Sequence, residues 1–425
     1  MSKDKVVTGI DIGSSKITTI IAVLQEDLTP NVIGVSSVAS KGLRKGQVVD
    51  IEEAVRCITQ SLESAERMAG YSVGNAFVTA AGTQIESQNS KGVVAVSDPQ
   101  GEITQEDVLR VVEAARAISL PSSREILHVI PRFFIIDSQS GIKDPVGMNG
   151  VRLEVETHIV TGATTSLRNI AKCISSVGVD VEGMVFSGLA SSYSVLTDTE
   201  RELGVILVDF GGGTTDISIF TDGAPAHSAV LPIGARNVTN DLAIGLRVSL
   251  ESAEKIKLAL SKTPSVAVEL DANGEVVDKK DNDRLDLIGM GIEEDIRNVS
   301  KKTLTDGIIK PRLREILNMV KLEIQKSGYL GLTPSGVVLT GGGAQTYGFG
   351  ELARQELGMP IRMGIPQGAT GLTDEIDSPA YAASLGLIIY GSQFQQEDVR
   401  IPLVGRVEIK GIITKGLGIF KRFIP

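Results

Sequence analysis

The chain has 425 residues, with 42 Lys and Arg against 52 Asp and Glu, a formal net charge of −10, and 42% hydrophobic residues. That length calls for two or more domains, each with its own core, and the composition excludes a coiled-coil rod and a disordered scaffold. The acidic balance, the lack of tryptophan and an aromatic content of 4% argue against a nucleic-acid surface of basic patches and stacking rings, so no nucleic-acid partner is expected.

In chain order, residues 6–10 and 16–24 are β-rich runs separated by Asp11-Ile12-Gly13-Ser14-Ser15, which predicts a hairpin with a Gly-Ser tip. The polar residues Asp11, Thr18 and Thr19 interrupt this apolar region, so it reads as strand and not as a signal peptide. Over 51–68, Ile51, Ala54, Val55, Ile58, Leu62, Ala65 and Met68 recur at helical spacing. A strand at 77–80 leads into Gly82. Between 84 and 161 the texture changes: a β-run at 93–96, a helix at 105–118 with a Thr104 cap, and β-runs at 126–136 and 153–160 predict a β-α-β-β insertion with its own sheet. Helices are expected at 166–177 and 189–196, with a strand at 181–186 between them. The opening pattern then returns about 200 residues on. A strand at 205–209, the turn Phe210-Gly211-Gly212-Gly213-Thr214-Thr215 and a strand at 216–220 imply a duplicated α/β domain.

Residues 231–317 are mostly helical and charged, with an exposed loop expected at 271–283. A strand at 337–339 ends in Thr340-Gly341-Gly342-Gly343-Ala344, residues 379–390 form an Ala/Gly-rich apolar helix, and 393–406 turn polar as a linker does. Cys57 and Cys173 form no CxxC pair, which suits a reducing compartment, and no stretch reaches the ~18 apolar residues of a membrane span.

Three glycine loops follow predicted strands: Gly13-Ser14-Ser15 with Lys16 behind it, Gly211 to Thr215, and Gly341 to Ala344. Glycine lets backbone N–H groups approach phosphate oxygens with no Cβ in the way, and Ser and Thr hydroxyls add donors. Asp11 and Asp209, at the same place in the two hairpins, can hold the waters of a Mg2+ ion between them. Any one loop reads equally well as a tight β-turn. Their joint occurrence, in this order and with Asp at matching positions, argues for two hairpins clamping a triphosphate. The match of Gly348 to Ala353 to GxGxxA lacks a directly preceding strand and is a coincidence.

These loops and the apolar helix together resemble the five-part nucleotide signature of the actin, heat-shock-chaperone and sugar-kinase superfamily. More narrowly, Gly188-Leu189-Ala190-Ser191-Ser192-Tyr193-Ser194-Val195-Leu196, Glu202-Leu203-Gly204, Val338-Leu339-Thr340-Gly341-Gly342 and Thr370-Gly371-Leu372-Thr373-Asp374 resemble the FtsA family of cell-division actin homologues, through nearly the whole chain. The resemblance implies a duplicated, two-lobed actin-like (RNase H-like) α/β ATPase fold binding ATP and Mg2+. Its subdomains would be 1A (1–83 and 162–203), 1C (84–161), 2A (204–230 and 318–392) and 2B (231–317), followed by a linker (393–408) and an amphipathic membrane-targeting helix (409–425). Gly341 to Ala344 would meet the adenosine, as would Glu254 and Lys257, which by spacing alone read equally well as an exposed ion pair.

One departure bears on catalysis. Polymerising bacterial actins carry a water-orienting Glu where this chain has Ser187-Gly188. Ser is no general base without a partner, and neither His158 nor His227 has a visible link to it, so binding with at most slow ATP hydrolysis is expected. His128, in an apolar run, is expected to be a core residue.

In the last segment Ile409, Ile412, Ile413, Leu417, Phe420, Phe423 and Ile424 recur on one helical face, while Lys410, Lys415, Lys421 and Arg422 fall elsewhere. This pattern suits a helix lying in an anionic membrane surface; the alternative is a terminal helix docked on the protein's own core. The cations and apolar residues of 297–314, including Arg297, Lys301 and Lys302, read by default as solvated helix surface. The resemblance places there a groove for the C-terminal peptide of the tubulin homologue FtsZ. It further implies self-assembly into filaments, divisome partners on 1C, and a place on the cytoplasmic side of the cell membrane at the division site. Two rivals stand beside it: a pilus-assembly adaptor of the PilM type, and a sugar or acid kinase of the same superfamily.

Overall fold

The computed structural model describes residues 5–262, 283–285, 287, 289–292, 294 and 299–394. The tail residues Ile409, Ile412, Ile413, Leu417, Phe420, Lys421, Arg422, Phe423 and Ile424 therefore lie outside the described residues, as do Arg297, most of the expected linker and all but the last residue of the loop expected at 271–283.

The first lobe opens with strands β1 (Val6–Ile12), β2 (Lys16–Leu24) and β3 (Pro30–Ala39) in an antiparallel meander. A two-residue hairpin, β4 (Leu43–Arg44) with β5 (Gln47–Val48), leads into helix α1 (Ile51–Ala69) and strand β6 (Asn75–Ala80). Helix α1 starts where the Asp50 carboxylate accepts the Glu53 N–H at 3.1 Å and stops at Gly70 in the left-handed region. Its apolar stripe, Ala54, Ile58, Leu62 and Ala65, is buried in the first-lobe core.

The insertion comprises β7 (Glu86–Ala95), α2 (Gln105–Arg116), β8 (Arg124–Ile136), β9 (Gln139–Ile142) and β10 (Arg152–Ala163), its sheet ordered β7-β10-β8-β9 with a small core of its own. It has one strand more than the β-α-β-β pattern expected. Strand β7 is also longer than the apolar run 93–96, because polar residues from Glu86 onward pair with β10 over its whole length.

Asp107 sits at the root of this unit. It accepts from the Ser97 N–H (3.1 Å) and hydroxyl (2.7 Å), from the Thr104 N–H (2.9 Å) and hydroxyl (2.8 Å), and from Arg110. Burial alone would raise its pKa, but the Thr104 N–H, the Ser97 hydroxyl and Arg110 hold the carboxyl far below its ordinary value. A depressed folded pKa makes this contribution full above the unfolded value of about 4 and lost as pH falls through the folded one. Asp107→Asn should destabilise the insertion by about 1–3 kcal/mol. Hydrogen exchange at neutral pH should show faster exchange across 86–163 and unchanged protection in β1 and across Val205–Phe210.

Helix α3 (Thr164–Ser175), strand β11 (Asp180–Phe186), helix α4 (Ser187–Val195) and helix α5 (Asp198–Leu203) complete the first half. The second lobe runs β12 (Val205–Phe210), β13 (Thr215–Thr221), β14 (Ala224–Leu231), α6 (Ala235–Leu246), α7 (Leu250–Lys262), the short pair β15 (Arg284–Leu285) and β16 (Val299–Ser300), and α8 (Lys301–Leu304). A π-helical turn, Thr305–Ile309, joins α8 to α9 (Lys310–Ser327). Strand β17 (Val337–Thr340), α10 (Phe349–Leu357), β18 (Ile361–Met363), β19 (Thr370–Gly371) and α11 (Ala382–Phe394) follow.

Among the described residues the two main sheets are ordered β11-β6-β1-β2-β3-β19 and β14-β13-β12-β17-β18. Apart from β19 they share one plan: three antiparallel strands in succession, then two parallel ones added beside the first. The expected duplication is thus present in the topology. Strand β12 faces both ways, with Val205 and Leu207 in the first core and Ile206, Val208 and Phe210 in the second. Helices α4 and α11 pack together between the sheets. At Gly386 of α11 a Cβ would stand 1.8 Å from the Ala190 carbonyl of α4, so this crossing admits only glycine.

Candidate functional site

The β1–β2 and β12–β13 turns face each other across a cleft of about 640 Å³. The cleft is lined by Asp11, Gly13, Ser14, Ser15 and Lys16 from the first turn and by Asp209, Gly211, Gly212, Gly213 and Thr214 from the second. Gly341, Gly342 and Gly343 close one side, and Glu254 and Lys257 of α7 another. The hairpin tips meet directly, since a Cβ at Gly212 would lie 1.8 Å from Ser15 Oγ. Gly341 holds φ at +85°, and a Cβ there would lie 2.2 Å from Asp209 Oδ1. No other residue type fits that position.

Two expected residues do not reach the cleft lining. Thr215 is fully buried and donates its hydroxyl to the Ile233 carbonyl at 2.8 Å, because strand alternation turns it away once Thr214 faces the cleft. Ala344 points into the second core, on the inner side of the short 3₁₀ turn that Gly341 opens. Lys301 and Lys302 begin α8, where the Asp283 carboxylate accepts the Lys302 N–H at 2.9 Å, and neither lines the cleft.

The acidic residues are held by hydroxyls. Asp11 accepts from Thr79 and from Ser384 of α11, each at 2.9 Å, and Asp209 accepts from Ser191 of α4. Burial raises the Asp11 pKa against these hydrogen bonds, and pushes Asp209 up to about 6 with help from the Asp11 charge. Asp216, paired with Asp209 across the strands, rises to about 8 through burial and then the Asp209 charge. Burial also lowers Lys16 to about 8, opposed by attraction to Asp11 and Asp209.

Burial and mutual repulsion raise the pKa of these neighbouring carboxyl groups, and a bound cation would lower it again, so the cluster leaves room for positive charge. Asp216 Oδ1 is buried and has no hydrogen-bond partner. Among the described residues no group of three acidic, His or Cys side chains lies close enough to ligate a bare ion. The carboxylate oxygens of Asp11 and Asp209 and the unpartnered Asp216 Oδ1 are acceptors of the kind that hold the waters of a hydrated dication such as Mg2+.

Glu254 and Lys257 form an ion pair at 2.7 Å on the cleft wall, with the Glu254 side chain 43% exposed. Lys257 is buried and also donates to Thr239 at 3.0 Å, and Thr239 donates to Glu254 at 2.5 Å. Ser187 is linked to a carboxyl group and to neither histidine, since its hydroxyl donates to Asp216. The histidines take no part. The His128 ring, lowered to about 4 by burial, accepts the Phe186 N–H at 3.0 Å. His158 bonds Asn89 and Ser228, and His227 bonds Glu323. Sequence reasoning missed Thr79, Ser191, Thr239 and Ser384. For Thr79 and Ser384 the available signal was a lone hydroxyl inside an apolar run, as in Phe-Val-Thr79-Ala or Ala-Ala-Ser384-Leu; Ser191, followed by Ser192, carries no such signal.

Comparison with known proteins places this geometry. Residues 82–161 match the family model "SHS2 domain inserted in FTSA" and residues 206–386 the model "Cell division protein FtsA". The chain is 40% identical to cell division protein FtsA of Pseudomonas aeruginosa over 401 residues, covering 94% of this chain and 93% of that one. It is 36% identical to FtsA of Escherichia coli K12 (97% and 95% covered) and 37% identical to FtsA of Bacillus subtilis (94% and 86% covered). Among solved structures, a PilM–PilN type IV pilus biogenesis complex superposes with a TM-score of 0.62 at 16% identity, covering 91% of this chain and 98% of that chain. MreB5 of Spiroplasma citri bound to ADP gives 0.51 at 11% identity, with 93% and 98% covered. These likenesses carry the fold, which is the actin-like one with an SHS2 insertion.

Proposed function

Because the chain belongs to the FtsA family of cell-division proteins, we propose that it binds ATP with Mg2+ in the cleft, assembles into filaments, and tethers FtsZ filaments to the cytoplasmic face of the membrane at the division site. The observation that carries the nucleotide part is the convergence of two like hairpins on one cleft, each bearing a strand-end Asp, half-buried Asp11 in the first and buried Asp209 in the second. The ADP carried by the superposable MreB5 structure supports the same reading.

In this proposal Asp11 and Asp209 hold the waters of Mg2+, which offsets the charge of the phosphates. The phosphates meet Gly13 to Lys16 and Gly211 to Thr214, and the adenosine meets Gly341 to Gly343 with Glu254 and Lys257. Thr215 and Ala344 support these loops from behind. Ser187, short and bonded to Asp216, replaces the longer carboxylate that would orient an attacking water, so turnover is slow.

The basic start of α8, with Lys301 and Lys302, would take an acidic peptide such as the FtsZ C-terminus. The insertion exposes Val93, Val146 and Val151, which supports a further divisome partner there. No described helix is long and apolar enough to cross a membrane, and attachment is assigned to 409–425 by its sequence pattern. Deleting 409–425 should abolish co-sedimentation with anionic liposomes while leaving ATP affinity within about twofold, well under a tenfold change of 1.4 kcal/mol. Sedimentation equal to that of the full chain would remove the anchor from the account.

A further inference from the structure

Lys16 is the cation nearest the paired carboxylates, yet its ammonium is not spent on them. It lies over the ring of Tyr381, 3.3 Å from the centroid, and feels Asp11 and Asp209 only as neighbouring charges, with no hydrogen bond to either. An ammonium carries three N–H donors, so a half-buried one seated on an aromatic face keeps donors free for an incoming acceptor. Tyr381 does not line the cleft; it stands behind Lys16.

The backbone that carries the ring is tied to both lobes. Tyr381 ends the 3₁₀ turn Pro379–Tyr381, which Ser378 caps by accepting the Ala380 N–H at 3.3 Å, and the Pro379 carbonyl accepts the Gly341 N–H at 3.0 Å. Three residues on, Ser384 donates to Asp11 at 2.9 Å. The turn is thereby tied to the third glycine loop and to the first hairpin at once.

We infer that Tyr381 is a positioning residue for Lys16: its ring holds the ammonium clear of Asp11 and Asp209, so that the carboxylates stay available to a hydrated dication and the lysine to a phosphate oxygen. This deepens the nucleotide-site reading and rests on it. Without the ring, Lys16 folds onto Asp11 or Asp209 and competes with the cation.

The test is a double-mutant cycle on the full chain, with Mg-ATP binding measured by equilibrium dialysis. Tyr381→Ala should weaken binding about tenfold, within the range of a desolvated cation–π contact, and Tyr381→Phe should restore it. In a Lys16→Met background, Tyr381→Ala should change binding less than about twofold, the mark of a residue acting through Lys16. An equal loss in both backgrounds, or no rescue by Phe, overturns the proposal. The chain has no tryptophan, so Tyr381→Trp supplies a single reporter. Its emission should shift on adding Mg-ATP with Lys16 present and stay unchanged with Met there, and a shift of equal size in both would also overturn it. If the unaltered chain binds no Mg-ATP, the nucleotide-site reading itself fails, and that result is separate from any effect of Tyr381.

Discussion

Asp209→Ala is expected to weaken Mg-ATP binding about a hundredfold, the loss of roughly 2.7 kcal/mol of charge-assisted hydrogen bonding. Affinity for ATP measured in EDTA should change little. Asp209 is 9% exposed, sits between Asp11 and Asp216, and is aimed by the Ser191 hydroxyl. The same residue should trade stability for binding. Its folded pKa of about 6 lies above the unfolded value of about 4, raised by burial and then by Asp11. Its contribution to folding is therefore greatest below about pH 4 and is lost as pH rises through about 6. At neutral pH the buried charge costs stability that a bound cation offsets. Asp209→Asn should thus melt higher than the unaltered chain at pH 7.5 without nucleotide, and lower than it with saturating Mg-ATP. Equal melting temperatures in both conditions would refute this electrostatic account of the cleft.

Gly386→Ala should be the most damaging single methyl in the described residues. The added Cβ would meet the Ala190 carbonyl oxygen at 1.8 Å and its carbon at 2.5 Å, both backbone atoms of α4 that cannot rotate away. Separation of α4 from α11 is the only relief, and overpacking of this kind costs about 3 kcal/mol or more. The site loses with the core, because α4 carries Ser187 and Ser191, whose hydroxyls hold Asp216 and Asp209. Urea unfolding should show a midpoint far below that of Gly74→Ala, where a Cβ has nothing within 4 Å. Midpoints that coincide would contradict the close crossing of the two helices.

The parts of this fold legible in the sequence are those where local chemistry and tertiary role agree. The glycine tips at Gly13 and Gly212 mark turns whatever surrounds them, and the fully buried β12 reads as the apolar run Val205 to Val208 ahead of Asp209. The matching order of the two sheets follows from recognising one hairpin twice. Strand β7 was only partly legible, since residues such as Ser87 and Asn89 show no apolar alternation. They are held by the ladder to β10 and by bonds to Ser228 and Ala226 in the second lobe. Strand β19 was illegible because two residues pairing with β3 carry no pattern. In the site, Asp11, Asp209 and the glycines were found, and Thr215 was misplaced because alternation within the turn depends on where the strand begins. The hydroxyls of Thr79, Ser191 and Ser384 could not be assigned without topology, coming from three elements far apart in the chain.

The most direct test of the account is electron microscopy of the full chain on an anionic lipid monolayer with ATP, Mg2+ and FtsZ. The account predicts FtsZ filaments held at the lipid only when this chain is present, and lost from the lipid with Asp209→Ala or with 409–425 deleted. Lipid that stays free of FtsZ although the chain is bound to it would contradict the tether.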